Sequence, residues 1–332
     1  MIVYIARRLL LAISVLFATI VLTFGLFFTG PAKDAVAYQL CGTKCTNQIV
    51  EQTNHRLGLD RPVISQFGDY IKGVVAGRDI KSDGVVTGHC DAPCLGWSYV
   101  QSQSVTTMVK QALPVNLAIV FGAAFLYIPL GLLLGVMSGR TRGSPLDRTL
   151  VGVSQVVGNM PYYAVALILN LYLIFQWHLL PGTQYIPLTQ DPGGWFKGFL
   201  GIWLIFGLFN AMLYVRYVRT FMINTLSTDF VRTARSKGIS ERKVVWNHAL
   251  RATLAPYLTL IGLDIGLSLA GSIFTEQIFN VSGLGQLAIL SLRQSDLPVI
   301  AGTVLVGAVF IILANLIVDL LYVVVDPTVK LT

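Results

Sequence analysis

Residues 111–137 read QALPVNLAIVFGAAFLYIPLGLLLGVM, without one Asp, Glu, Lys, Arg or His. As a helix rising about 1.5 Å per residue, a stretch of this length crosses a hydrocarbon layer roughly 30 Å thick. Further apolar runs can be placed at 9–29, 149–175, 198–215, 254–275 and 298–322. The whole chain of 332 residues is 54% hydrophobic and 12% charged, with a mean hydropathy of +0.68. Soluble domains carry roughly 25% charged residues, so this chain cannot cover a water-facing surface. The expected fold is an all-α polytopic membrane protein with six transmembrane helices.

The net charge of +8 would suggest nucleic acid only if it formed a patch of its own, and its distribution excludes that. With both termini on one side, the segments on that side hold fourteen basic and four acidic residues. The segments on the other side hold ten of each, and Asp264 and Asp319 fall within spans. An excess of Lys and Arg in short loops marks the cytoplasmic face, so both termini are expected inside. Arg7 and Arg8 before Leu9–Phe28 resemble the start of a signal peptide, but the run exceeds a usual cleaved core and reads as a retained anchor.

The four cysteines, Cys41, Cys45, Cys90 and Cys94, all lie in the long outer segment between the first two spans. Two C-x-x-x-C pairs in an oxidising compartment point to disulfides, with three connectivities open. His89 beside Cys90 admits a zinc reading, though the usual ligand spacings are missing. Within this segment, 46–58 and 64–75 suit short helices on either side of Arg61-Pro62, and 77–97 suits a tied loop.

The spans contain polar and bending residues. Asn116, Asn170, Asn210, Asp264, Asn315 and Asp319 should face protein or a wet cavity rather than lipid. Among them, Asn116, Asn210, Asp264 and Asn315 are candidates for a translocation pathway. Asp264, the deepest charge, suits an ammonium group on a substrate, a structural hydrogen bond to another helix or, as a minor reading, a proton relay. Pro129 and Pro161, with nearby glycines, can bend helices around a path or allow close packing.

The inner loop between the fourth and fifth spans, VRTARSKGISERKVVWNHALRATLAP, is too patterned for a bare positive loop. Residues 230–237 suit an amphipathic helix, Gly238 can release it, and Ser240 can cap the next helix with Glu241 at its positive end. Two short stiff helices at the cytoplasmic face can pass motion from an attached protein; a charged helix lying at lipid headgroups is the plainer reading.

These residues resemble the cytoplasmic signature of permease subunits of ATP-binding-cassette importers, in the dipeptide, oligopeptide and nickel branch. Ala234-Arg235, Lys237-Gly238, His248-Ala249-Leu250-Arg251 and Pro256 carry the likeness. It continues through Tyr4–Leu10, Leu57–Pro62, Leu95–Tyr99, Thr275-Glu276 with Phe279, Gly283–Gly285, Asp296 with Pro298, Asn315, Asp319 and Asp326-Pro327. Arg232 stands where an acidic residue is common, Ser282 where proline is, Asp264 where a neutral polar residue is, and Thr328 where a basic residue is; the stretch from Gly77 to Cys94 is longer than usual.

The resemblance implies an N-terminal transmembrane anchor at 1–30, an extracytoplasmic subdomain at 31–110, a five-helix transport core at 111–322 with a coupling element at 228–252, and a cytoplasmic tail at 323–332. It implies alternating access in a bacterial cytoplasmic membrane, driven by ATPases elsewhere. Ala234, Gly238, His248 and Arg251 would form or support the coupling element; Arg235 and Lys237 would join it or anchor it at headgroups. Implied partners are a second permease, two ATPase subunits holding ATP and Mg, and an extracytoplasmic peptide-binding protein. The chain has no phosphate-binding loop, so it is not expected to be an enzyme or to carry a cofactor or metal. Peptide is favoured as cargo over nickel because His55, His89, His178 and His248 are dispersed. A secondary transporter would need paired halves or an ion-coupling cluster, and a membrane hydrolase a nucleophile motif near His178 and Asp191.

Overall fold

The computed structural model describes residues 2–29, 34–41, 45–82 and 85–325. Residues 326–332, with most of the expected tail and Asp326, Pro327, Thr328 and Lys330, lie outside the described residues, as do residues 30–33 at the end of the anchor. The chain divides into two compact units. The first comprises Met1–Asn116, Ala270–Ile273 and Ser282–Ile312; the second comprises Leu117–Leu269, Phe274–Val281 and Leu313–Thr332.

The first unit begins with α1 (Ile2–Thr29), whose apolar stretch runs from Leu10 to Gly25, followed by α2 (Ala35–Cys41). α3 (Asn47–Leu57) starts where Thr46 Oγ1 accepts from the Ile49 amide at 3.4 Å and ends at Gly58, held at φ 69°. α4 (Val63–Ala76) follows Pro62. Both helices meet the sequence expectation because their caps are local: a hydroxyl, a proline and a left-handed glycine.

The expected loop at 77–97 is instead a β-hairpin for much of its length, and the all-α expectation is corrected there. β1 (Arg78–Ser82) and β2 (Val85–Cys90) pair antiparallel, Asp79 opposite His89, with a register irregularity between Ile80 and Lys81. The Asp79 carboxylate lies 2.7 Å from His89 Nδ1 and raises the histidine pKa through that hydrogen bond. Glycines and charges hid the alternation from the sequence. A second, two-residue pair joins β3 (Trp97–Ser98) to β4 (Gln103–Ser104).

Both disulfides are local, Cys41–Cys45 and Cys90–Cys94, with Cα separations of 5.4 and 5.5 Å. This resolves the open connectivity and leaves no thiolate for the zinc alternative. Cys90 and Cys94 are fully buried beside Ile80, with Trp97 packed against them. A larger core gathers Leu95, Val105, Met108, Leu284, Val299 and Leu305, with Leu16 and Ile20 of α1 against it. Ser98 Oγ donates to Asp296 Oδ2 at 2.5 Å across 198 residues of sequence, and burial raises the Asp296 pKa.

The long helices are α5 (Val105–Arg140), α8 (Pro192–Leu226), α11 (Leu250–Ala270) and α14 (Leu297–Val325). The described residues contain four helices long and apolar enough to cross a membrane, or five when α6 (Pro145–Asn159) and the helix after it are counted as one broken span. The chain is thus a polytopic helical membrane protein with large insertions outside its membrane-length helices.

The third expected span, 149–175, is not one rod. It bends by 100° between α6 and the segment Tyr162–Gln176, which opens as α7 (Tyr162–Leu169) and continues as a π-helix at Asn170–Gln176. Pro161, at φ −66° and ψ 127°, leaves the helical region and starts a new helix. The fifth expected span, 254–275, ends early at Ala270, because Gly271 adopts φ 147°. The short helices α12 (Ile273–Phe279) and α13 (Leu284–Arg293) follow.

α5, by contrast, runs unbroken through Pro114 and Pro129. Its glycines serve close packing within the second unit. A Cβ on Gly131, Gly135 or Gly139 would fall 2.6, 2.5 or 2.8 Å from the Cβ of Tyr214, Val218 or Met222 on α8. The same stripe of small residues brings Gly122 against the Trp203 indole, whose Nε1 donates to the Ala118 carbonyl at 2.8 Å.

Candidate functional site

The inner loop folds as a compact bracket. α9 (Asp229–Ser236) buries Val231 and Ala234 against Val244, with Leu226 and Ile239 closing the cluster. Gly238 stands at φ 73°, and the amides of Gly238 and Ile239 reach back to the carbonyls of Arg235 and Ala234 at 2.9 and 3.4 Å. This paired return, with an apolar residue just beyond the glycine, is a Schellman ending, which satisfies carbonyls that the last helical turn would leave bare.

The chain restarts at α10 (Glu241–Lys243) and continues through a π-helical turn at Val244–Ala249 into α11. Ser240 occupies the cap position, but its hydroxyl makes no capping bond; its carbonyl accepts from the Val244 amide at 3.0 Å. Glu241 turns to Arg235 across the glycine, with Nη2–Oε1 at 2.8 Å and Nε–Oε2 at 3.1 Å. The Arg235 guanidinium is thus committed within the bracket rather than held for headgroups. A bidentate pair of this exposure contributes about 1 kcal/mol at most, enough to align two helices already joined by a tight turn.

The remaining expected residues divide by exposure. Ala234 is buried and supports the bracket from within, whereas Lys237, His248 and Arg251 are exposed along it. Sequence alone did not reveal the π-turn that carries His248: a wider turn has no composition signature. It keeps Val244, Val245 and Ala249 fully buried while His248 projects outward.

In the membrane-length helices of the second unit, Asp264 of α11 accepts from Tyr214 Oη at 3.2 Å and from Tyr127. Tyr257 Oη donates to the Ile128 carbonyl at 2.6 Å, and the Tyr214 ring lies 5.2 and 5.6 Å from those of Tyr127 and Tyr257. Of the roles open to Asp264, the interhelical hydrogen bond is the one made. Asn210 is buried and donates to the Phe206 carbonyl one turn back, at 2.8 Å. Asn170 bonds the Ile278 carbonyl at 3.1 Å. Asn116 is fully buried in the first unit, whereas Asn315 is exposed.

One buried cluster escaped the sequence reading. Asp147, 2% exposed, takes Arg219 Nε and Nη2 at 2.6 and 2.9 Å, the Ser138 hydroxyl at 2.5 Å and the Gly143 amide at 2.8 Å. The local signal was Ser144-Pro145 with an acid three residues after the serine, and Ser144 does accept from the Asp147 amide at 3.1 Å. Nothing local marks Arg219 as the partner.

No group of three or more His, Cys, Asp or Glu among the described residues is arranged to hold a metal ion. The arrangement consists of hydrogen-bonded helix contacts in the membrane-length segments and a bracket with exposed basic side chains.

Residues 128–331 match the family described as binding-protein-dependent transport system inner membrane component, and residues 1–120 match its N-terminal companion. A dipeptide transport system permease protein of Lactococcus lactis is 33% identical over 335 residues, covering 100% of both chains. A putative peptide transport system permease protein of Brucella abortus is 30% identical over 326 residues, or 98% of both chains. The dipeptide transport system permease protein of Escherichia coli is 31% identical over 353 residues and 99% of both. With more than half its length in the family match, the chain belongs to the binding-protein-dependent transport system inner membrane components, the permease subunits of ATP-binding-cassette importers.

Proposed function

We propose that this chain forms half of the translocation pathway of an ATP-driven importer of dipeptides or oligopeptides and that its 228–252 segment is the contact for a separate ATPase. The observation that carries this reading is the full-length likeness to peptide and dipeptide permeases, joined to a bracket whose Schellman turn fixes two short helices and leaves Lys237, His248 and Arg251 outward. Such a bracket moves as a unit, which is what transmitting a domain movement requires.

In this reading six spans cross the membrane: α1, α5, the broken α6–α7 segment, α8, α11 and α14. Both termini are cytoplasmic, as the Lys and Arg asymmetry supports. Residues 1–30 anchor, 31–110 form the extracytoplasmic subdomain, 111–322 the transport core and 323–332 an inner tail. A homologous second permease completes the pathway; the exposure of Asn315 on a membrane-length helix supports a covering partner there. Two ATPase subunits bind ATP and Mg and perform phosphoryl transfer, and an extracytoplasmic binding protein delivers the cargo. Asn116, Asn210, Asp264 and Asn315 are pathway residues, with Asp264 held by tyrosines rather than bare to substrate.

The test is reconstitution of the complete importer in proteoliposomes with its binding protein outside and ATP inside. Radiolabelled di- and tripeptides should accumulate only when this chain is present, and nickel should not. Accumulation of nickel in place of peptide would overturn the cargo assignment; peptide uptake without ATP would overturn the importer mechanism.

A further inference from the structure

The first unit contains a cleft that the transport reading leaves unused. Its walls include Arg78, Tyr70, Tyr99, Trp97, Arg61 and Asp69, and its volume is about 80 Å3. Two of its charges are already matched: Arg61 Nη1 lies 2.8 Å from Asp69 Oδ2, and Arg61 Nε donates to the Gly58 carbonyl at 3.1 Å. Arg78 is different. Its Nε is buried without a hydrogen-bond partner, and among the described residues no carboxylate lies within 4.0 Å of its guanidinium.

Arg78 as a whole is half-buried, and a cation held in a cleft without a counter-ion favours a ligand that brings a negative charge to its accessible face. Local structure aims it. Arg78 opens β1 opposite Cys90, itself bonded to Cys94, and the arginine stem lies across Gly73 of α4, where a Cβ would come within 2.9 Å of Arg78 Cδ. Burial holds the Tyr70 and Tyr99 hydroxyls above their ordinary pKa, so both stay protonated donors at neutral pH. The cleft therefore offers a planar cationic fork, two phenol donors and aromatic walls.

We propose that this cleft binds a small carboxylate, with the Arg78 fork on the carboxylate oxygens and Tyr70, Tyr99 and Trp97 covering an apolar remainder. The fork geometry favours carboxylate, which takes two parallel N–H bonds. The cleft uses none of the residues assigned to the peptide pathway, and neither reading depends on the other.

The probe is radiolabelled 3-phenylpropionate, measured by equilibrium dialysis on the importer in lipid nanodiscs without its binding protein. Saturable binding is expected at one site per chain, with the neutral 3-phenylpropanamide failing to compete. Arg78→Gln should weaken binding at least tenfold, and Arg56→Gln on α3 should leave it unchanged. Arg78→Lys, which keeps the charge and loses the fork, should fall between. Gly73→Ala, which keeps the arginine and displaces its stem, should weaken binding severalfold. Membrane abundance and Cys90–Cys94 oxidation, checked in each variant, separate loss of the site from loss of the fold. Absence of saturable binding, equal competition by the amide, or wild-type affinity in a folded Arg78→Gln chain would overturn the proposal.

Discussion

Gly238 stands at φ 73° with no atom within 4 Å of the position a Cβ would take, so a substitution there tests backbone conformation alone. Gly238→Ala should destabilise the turn by about 1–2 kcal/mol. Amide exchange across 229–249, measured in nanodiscs, should accelerate roughly 5- to 30-fold. Gly238→Asn, better tolerated in the left-handed region, should accelerate it less; wild-type exchange in the alanine variant would show the turn is not what holds the bracket. Asp147 gives a second residue-scale prediction. Asp147→Asn leaves Arg219 partly buried without its counter-charge and should destabilise the chain by about 3 kcal/mol, the lower end for a broken buried pair because Arg219 is partly exposed. The double change Asp147→Leu with Arg219→Met should be milder, which thermal unfolding in detergent can check. The glycine was legible because the residues that use it are adjacent. The acid was not, since its partner lies 72 residues away and pairing is a property of the fold.

At the level of elements, apolar length was readable and ends were not. Among the described residues hydropathy located the four membrane-length helices and the broken pair, while the expected first span shows a shorter apolar stretch, Leu10–Gly25; hydropathy cannot tell a rod from a helix broken at Pro161, and it ran the fifth span past Gly271. The hairpin at 78–90 was missed because its alternation is interrupted by glycine and by the irregularity after Ile80. The glycines of α5 illustrate how one residue type carries two meanings: flexibility in a loop, proximity in a helix. Proximity makes a distinct prediction. Gly135→Leu should force α5 from α8 and destabilise the chain by about 1–3 kcal/mol or more, as overpacking does. Gly152→Leu, at a position with open space, should be close to neutral. Equal unfolding temperatures for the two variants would contradict the packing role.

For the whole molecule, charge asymmetry and apolar runs were enough to read a polytopic membrane protein, and ordered short matches were enough to read an importer permease. The physical links between those matches needed three dimensions. Ser98 lies in one matched stretch and Asp296 in another, and their hydrogen bond ties the outer segment to the residues before α14. The Arg235–Glu241 pair likewise joins two parts of one signature across its glycine. The central claim is that the 228–252 bracket is where a separate ATPase docks. It is tested most directly by the crosslinking yield between His248→Cys and the ATPase subunits of the complete importer in proteoliposomes, using a short thiol-reactive photocrosslinker and normalising to membrane abundance. The account predicts a specific permease–ATPase product that falls severalfold when Gly238→Val is added; no product in vesicles that still take up cargo on ATP would contradict it.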